Sequence, residues 1–148
     1  MLLNLNLSLW EGLLMFSDST FENKLREFQS LVVKKQLEIT PELAALNKIG
    51  QGFENKEAVE LSKTLIKEET NELLEALDEG DKAHILKEAC DVIYVVVRMC
   101  IVHGLKFGVA FNRVHANNML KFETGTIRPD GKLVKDQFHP KVRLGDLI

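Results

Sequence analysis

Apolar residues recur every three or four positions along most of this chain, the spacing of helices with one buried face. Phe21, Leu25, Phe28, Leu31 and Val32 mark a first helix beginning near Asp18 or Ser19, where Ser, Asp and Thr side chains are available as N-caps. Pro41 ends or restarts it, and Thr40 is then placed to cap a short helix through Leu46. The segment NKIGQGFEN carries two glycines and reads as a loop. Residues 55–79 form a long helix whose apolar stripe holds Val59, Ser62, Leu65, Ile66, Leu73, Ala76 and Leu77. Asp81 caps the next helix, which runs to about His103 and stops at Gly104. From Val92 to Val102 that helix is apolar nearly all round, which predicts burial against several neighbours. A last helix, from about Val109 to Phe122, lines up Phe111, His115, Asn118 and Phe122 on one inward face. Periodicity fades from Glu123 onward, and RPDGK has turn chemistry. The pattern predicts an all-α fold: a helical bundle built on a central antiparallel hairpin turning at Gly80, with an irregular C-terminal tail.

The first residues differ from the rest. Leu3, Leu5, Leu7 and Leu9 alternate with Asn4, Asn6 and Ser8, a period-2 pattern that allows a short strand. The stretch lacks a basic n-region and a small-residue cleavage site, contains Glu11, and is too short and interrupted to span a bilayer. Met15 is an alternative start. Residues 1–17 are expected to be an extension ahead of a single all-α domain over 18–148.

A hydrophobic content of 45% and a charged content of 28% suit a globular chain of one domain. A net charge of −3 gives no electrostatic case for broad nucleic-acid binding. Cys90 and Cys100 sit ten residues apart on one helix, about 15 Å and too far to bridge. A reduced, cytoplasmic setting without a membrane is expected.

Four acids change the picture. Glu72 and Glu88 are each eight residues from Gly80, and Glu69 and Asp91 are each eleven. If Gly80 turns two antiparallel helices, Glu72 comes opposite Glu88 and Glu69 opposite Asp91. Each pair is spaced i, i+3, so its carboxylates point the same way. Acids that merely solubilise a helix avoid its apolar stripe, yet Glu69 falls between Leu65 and Leu73, and Glu88 between Ile85 and Val92. Glu72 lies at the stripe's edge and Asp91 beside Val95. Converging carboxylates repel one another and lose hydration unless a cation compensates. With no His or Cys in the quartet, Mg²⁺ is favoured, Mn²⁺ is possible and zinc is disfavoured. Metal held by carboxylates suits phosphoryl chemistry.

Basic residues complement the acids. Lys121, Lys132 and Lys135, with Arg128, fall in the last third, where little else demands them. Asn118 is placed to donate to phosphate or sugar. Tyr94 is a weaker candidate for a nucleoside contact, and Phe53 could stack on a base or join the core. His84 and His115 read as structural, and Arg98, near the Asp91 side of its helix, as a partner for an acid.

EETNE (Glu68 to Glu72) followed by EACD (Glu88 to Asp91) resembles the EExxE…ExxD signature of the MazG-like, all-α nucleoside triphosphate pyrophosphohydrolases. VHANNMLKF (Val114 to Phe122) is similar to a helix motif of phage and bacterial members, and RPDGKLVK (Arg128 to Lys135) to their lysine-bearing tail. Asn117 stands where serine is frequent, Asp136 where glycine is usual and Phe138 where tyrosine is common; a Pro-Pro-Asp ending is absent. The resemblance implies Mg²⁺-dependent hydrolysis of a nucleoside triphosphate between its α and β phosphates, giving monophosphate and pyrophosphate. It implies that Glu69, Glu72, Glu88 and Asp91 hold metal, with Glu69 thereby at the reacting centre. Glu68 is implied as a further ligand or as the group that orients the attacking water. Asn118, Lys121, Lys132 and Lys135 are implied to bind sugar and phosphates. A homodimer or homotetramer is expected, both from the resemblance and from the all-round apolar helix. The rival readings are a dUTP/dUDP or phosphoribosyl-ATP pyrophosphohydrolase of the same superfamily, and a non-enzymatic helical oligomer that binds a cation or nucleotide.

Overall fold

The computed structural model describes residues 19–148. The alternating segment at residues 2–9 and the question of Met15 lie outside the described residues. The chain gathers into two compact units, one ending at Leu105 and one spanning Lys106–Ile148.

The first unit contains α1 (Ser19–Leu37), α2 (Pro41–Ala45), α3 (Lys56–Glu79) and α4 (Lys82–Val102). Its boundaries follow from local chemistry. Thr40 Oγ1 accepts the Leu43 N–H at 3.2 Å with Pro41 in the first turn of α2, and Asn55 Oδ1 accepts that of Ala58 at 3.1 Å. Asp81 Oδ1 accepts from Ala83 N at 2.9 Å and His84 N at 3.4 Å. Each such cap is worth about 1 kcal/mol. Between α3 and α4 the backbone turns through Gly80 at φ +77°, a left-handed conformation that side chains bearing a Cβ resist.

α3 and α4 pack as the expected antiparallel hairpin, and α1 packs on α4. Ala58 and Ala76 are fully buried on α3 and let the helices approach; Val97, Ile101 and Val102 on α4 and Leu25 on α1 fill the core. Ala76 takes the core position near the turn, and Leu77, expected on the stripe, is exposed because it lies about 100° further round the helix.

A polar layer crosses this core. Gln29 Nε2 donates to Asn47 O at 2.9 Å and Oδ1 at 3.1 Å, and Asn47 Nδ2 donates to Gln36 Oε1 at 2.9 Å. Arg98 donates to Asn47 Oδ1 and to Ser62 Oγ. The expected acidic partner for Arg98 is thus replaced by neutral acceptors, and its burial pulls the guanidinium pKa down. His103 Nδ1 donates to the Gly52 carbonyl, its Nε2 meets Ser62 Oγ at 3.2 Å, and Phe53 stacks on its ring at 4.5 Å. The Gly50 and Gln51 N–H groups bond the Ile101 and Val102 carbonyls at 3.0 and 2.9 Å, docking the glycine loop on the end of α4.

The second unit contains α5 (Phe107–Met119), α6 (Lys121–Thr124), strands β1 (Thr126–Ile127) and β2 (Leu133–Val134), and a closing 3₁₀ turn at Gly145–Leu147. The single last helix expected to reach Phe122 therefore breaks at Leu120. The tail is irregular apart from the β1–β2 hairpin, in which Thr126 faces Val134 and Ile127 faces Leu133 around the RPDGK turn. Arg113 donates to Asp146 Oδ1 at 2.6 Å and Oδ2 at 2.9 Å, and Asn117 Nδ2 to Pro140 O at 2.8 Å. The tail thus packs on the Arg113–Asn117 side of α5. Phe111, His115, Asn118 and Phe122, expected to face inward, are exposed, because Phe111 and Asn118 project well away from that side. No single helix among the described residues is long and apolar enough to cross a membrane.

Candidate metal centre

The antiparallel course of α3 and α4 brings Glu69 to Glu88 and Asp91. One carboxylate oxygen from each of the three lies within 4.8 Å of the others. Glu88 is only 2% exposed, while Glu69 and Asp91 are half-buried. Glu88 Oε2 is buried and has no hydrogen-bond partner. A buried carboxylate oxygen left unpaired is costly, and a cation accepted by that oxygen removes the cost.

Burial is the largest reason that the Glu69 carboxyl is held above its ordinary pKa; repulsion from Glu72, Asp91 and Glu88 adds to it, and Lys87 opposes it. Glu72 is exposed and lies outside the group of three, though its charge is felt by Glu69. Glu68 is exposed.

Two basic side chains on α4, Lys87 and His84, face the acids. Lys87 Nζ lies 2.9 Å from Glu88 Oε1 and 2.9 Å from Asp91 Oδ2. Those hydrogen bonds, Glu88 first and then Asp91, raise the Lys87 pKa well above its ordinary value. His84 Nδ1 lies 3.0 Å from Glu79 Oε2 and its Nε2 lies 3.0 Å from Glu88 Oε1. The hydrogen bond to Glu79 is the main cause of the raised imidazole pKa, with Glu88 contributing. Lys87 was not marked by the sequence pattern. Its place beside Glu88 and four residues before Asp91 was the available signal, since i, i+4 is the spacing of helical ion pairs. His84, read as structural, also touches a candidate ligand.

The remaining candidates are distributed as follows. Tyr94 is half-buried and meets Phe28 edge-on, with ring centroids 5.5 Å apart. Asn118 and Lys121 come together: Lys121 Nζ donates to Asn118 Oδ1 at 2.6 Å. Lys132 and Lys135 are exposed and flank β2. Arg128 is paired with Asp130 within the turn. Cys90 is exposed and Cys100 buried, and both are free thiols.

The donor set at Glu69, Glu88 and Asp91 is all carboxylate oxygen and could hold a hard divalent cation. A helical hairpin that carries EExxE on one arm and ExxD on the other, with these acids gathered between the arms, defines an all-α pyrophosphohydrolase of the MazG-like superfamily. Within that class, the phosphoribosyl-ATP pyrophosphohydrolase family model matches residues 25–118, more than half of the chain, and the chain belongs to this family. The family is metal-dependent in general. The match takes in both acid motifs and ends at Asn118, so Lys121, Lys132 and Lys135 lie beyond it. No curated protein matches the chain.

Proposed function

We propose that this pyrophosphohydrolase cleaves a nucleoside triphosphate, ribo or deoxy, between its α and β phosphates, giving monophosphate and pyrophosphate with Mg²⁺ or Mn²⁺. The observation that carries the reading is the convergence of Glu69, Glu88 and Asp91 together with the unpaired, buried Glu88 Oε2. Glu69, Glu88 and Asp91 would hold the cation, with Glu72 as a further ligand from the edge of the site. When bound, such an ion supplies neutralisation of charge on phosphate oxygens and a lowered pKa for water.

The chain's own groups account for the rest. Glu68 orients the attacking water and accepts its proton. The water oxygen forms a bond to phosphorus at the α–β bridge, and the bond from that phosphorus to the bridging oxygen breaks. Lys121, Lys132 and Lys135 bind phosphate and stabilise the charge carried off by pyrophosphate. Asn118, whose side-chain oxygen is engaged by Lys121, has its amide N–H groups to offer to sugar or phosphate. Tyr94 contacts the nucleoside. Exposed Leu74, Leu77, Leu86 and Ile93 on the hairpin support assembly as a homodimer or homotetramer, in a cytoplasmic setting.

The family match favours a second reading, phosphoribosyl-ATP as the substrate. One assay separates them. Purified protein is incubated with Mg²⁺ or Mn²⁺ and a panel of canonical and modified (d)NTPs, dUDP and phosphoribosyl-ATP, and pyrophosphate and monophosphate are quantified. Turnover of (d)NTPs with equimolar products supports the first reading. Turnover of phosphoribosyl-ATP alone replaces it with the second. Nucleotide binding without hydrolysis of any substrate rejects both.

A further inference from the structure

We propose that Lys87 is a tethered counter-cation that competes with the divalent ion for Glu88 and Asp91, so that the site loads only as the Lys87 ammonium swings off both carboxylates. The inference rests on the reading of Glu69, Glu88 and Asp91 as the cation site.

Lys87 Nζ is 2.9 Å from one oxygen of Glu88 and 2.9 Å from one of Asp91, so a single ammonium bridges two of the three converging acids. A hard divalent ion bonds carboxylate oxygen at about 2.0–2.6 Å. An ion bound to those same two carboxylates, even through Glu88 Oε2, would put its charge within a few ångströms of the ammonium, and the two cations repel each other. His84 touches Glu88 Oε1 but has its other nitrogen on Glu79, not on Asp91. Among the described residues, Lys87 alone spans the pair.

The side chain is also built to leave. Lys87 is 61% exposed while Glu88 is 3% exposed at its side chain, so the lysine can rotate into solvent without disturbing the packing that fixes its partner. An ammonium on a four-carbon stem is compact, strongly hydrated and mobile. Because Lys87 sits on the same helix as Glu88 and Asp91, it never diffuses away, and its competition does not depend on any dissolved cation. The consequence is a site whose apparent affinity is set below that of the bare carboxylates, so that loading responds at higher free metal.

The test uses the full chain as wild type, Lys87→Met, Lys87→Gln, Lys87→Arg and Glu69→Ala/Asp91→Ala, with Mn²⁺ as the probe. Free Mn²⁺ is read by its EPR signal during titration, and thermal unfolding is followed in EDTA and in saturating Mn²⁺. Partly exposed ion pairs are weak competitors, so Lys87→Met should bind Mn²⁺ only roughly five- to tenfold more tightly. Its Tm should fall below wild type in EDTA, and that deficit should close in saturating Mn²⁺. Lys87→Arg should bind as wild type does, and Lys87→Gln carries the same expectation as Lys87→Met if the latter folds poorly. Unchanged or weaker Mn²⁺ binding by both neutral variants, with binding abolished in Glu69→Ala/Asp91→Ala, overturns the Lys87 proposal and leaves the cation site standing. No Mn²⁺ binding by wild type or by either neutral variant removes the site and the proposal together.

Discussion

His84 Nε2 reaches Glu88 Oε1 at 3.0 Å, one turn along the same helix, while the other oxygen of Glu88 lies buried and unpaired. One oxygen of the carboxylate thus carries the His84 and Lys87 contacts, and the other is buried without a hydrogen-bond partner. Glu88→Gln keeps the shape and the His84 contact but removes the charge. The expected result is a loss of turnover of at least about a hundredfold, the upper end of what weakening metal support costs, with circular dichroism unchanged. Activity within a few-fold of wild type would remove Glu88 from the site.

Glu69 supplies a pH prediction. Its pKa in the folded chain is raised by burial and by neighbouring acids above the ordinary 4.5. The folded state therefore holds the proton more tightly than the unfolded state, and the linked stability is fullest below about pH 4.5 and declines as pH rises through the raised value. In EDTA, Glu69→Gln should be more stable than wild type at neutral pH, and the advantage should shrink as pH falls toward 4.5. Denaturant titrations across that range check the sign. An advantage that grows on acidification contradicts it.

Gly80 can be tested apart from chemistry. A Cβ added there meets nothing within 4 Å, so only the left-handed backbone at φ +77° opposes a side chain. Gly80→Ala should cost about 1–2 kcal/mol in denaturant unfolding and leave metal binding intact. No measurable cost would mean that the hairpin turns differently.

Arg98 separates volume from charge. Its acceptors keep other partners when it is removed: Asn47 Oδ1 still receives Gln29, and Ser62 still meets Ala58 O at 3.0 Å and His103. Arg98→Met, which fills the space, should cost no more than about 1 kcal/mol, whereas Arg98→Ala should cost about 2–5 kcal/mol through the cavity it leaves. Equal losses in calorimetry would show that the guanidinium itself holds the layer together.

The parts of the fold read correctly from sequence are those set by neighbours in the chain. Thr40 and Asp81 cap where their side chains reach the next turn, Gly80 and Gly104 stop helices through positive φ, and the stripe positions of Glu69 and Glu88 put them inward. What was not legible depends on contacts between distant residues. The face of α5 that is covered is decided by where the tail returns, through Arg113 with Asp146 and Asn117 with Pro140, and periodicity on α5 alone favoured another face. Sharing a side with Asp91 predicts an acid for Arg98, yet the neutral layer formed with α1 and the loop after α2 holds it instead. An exposed flank lysine such as Lys87 looks solvated in the sequence, and its reach onto two carboxylates is what distinguishes it.

The glycine loop gives α4 a mechanical character. At one end Asp81 binds the first N–H groups, and at the other Gly50 and Gln51 bind the Ile101 and Val102 carbonyls. Helices usually fray because their terminal groups are left to water; this one is clamped at both supports, like a beam and not a cantilever. Amide protons near both its ends should exchange slowly, and Glu88 and Asp91 ride on a backbone held at both ends. Adjustment to a ligand in that region then falls to rotating side chains, with the main chain serving as a fixed rail.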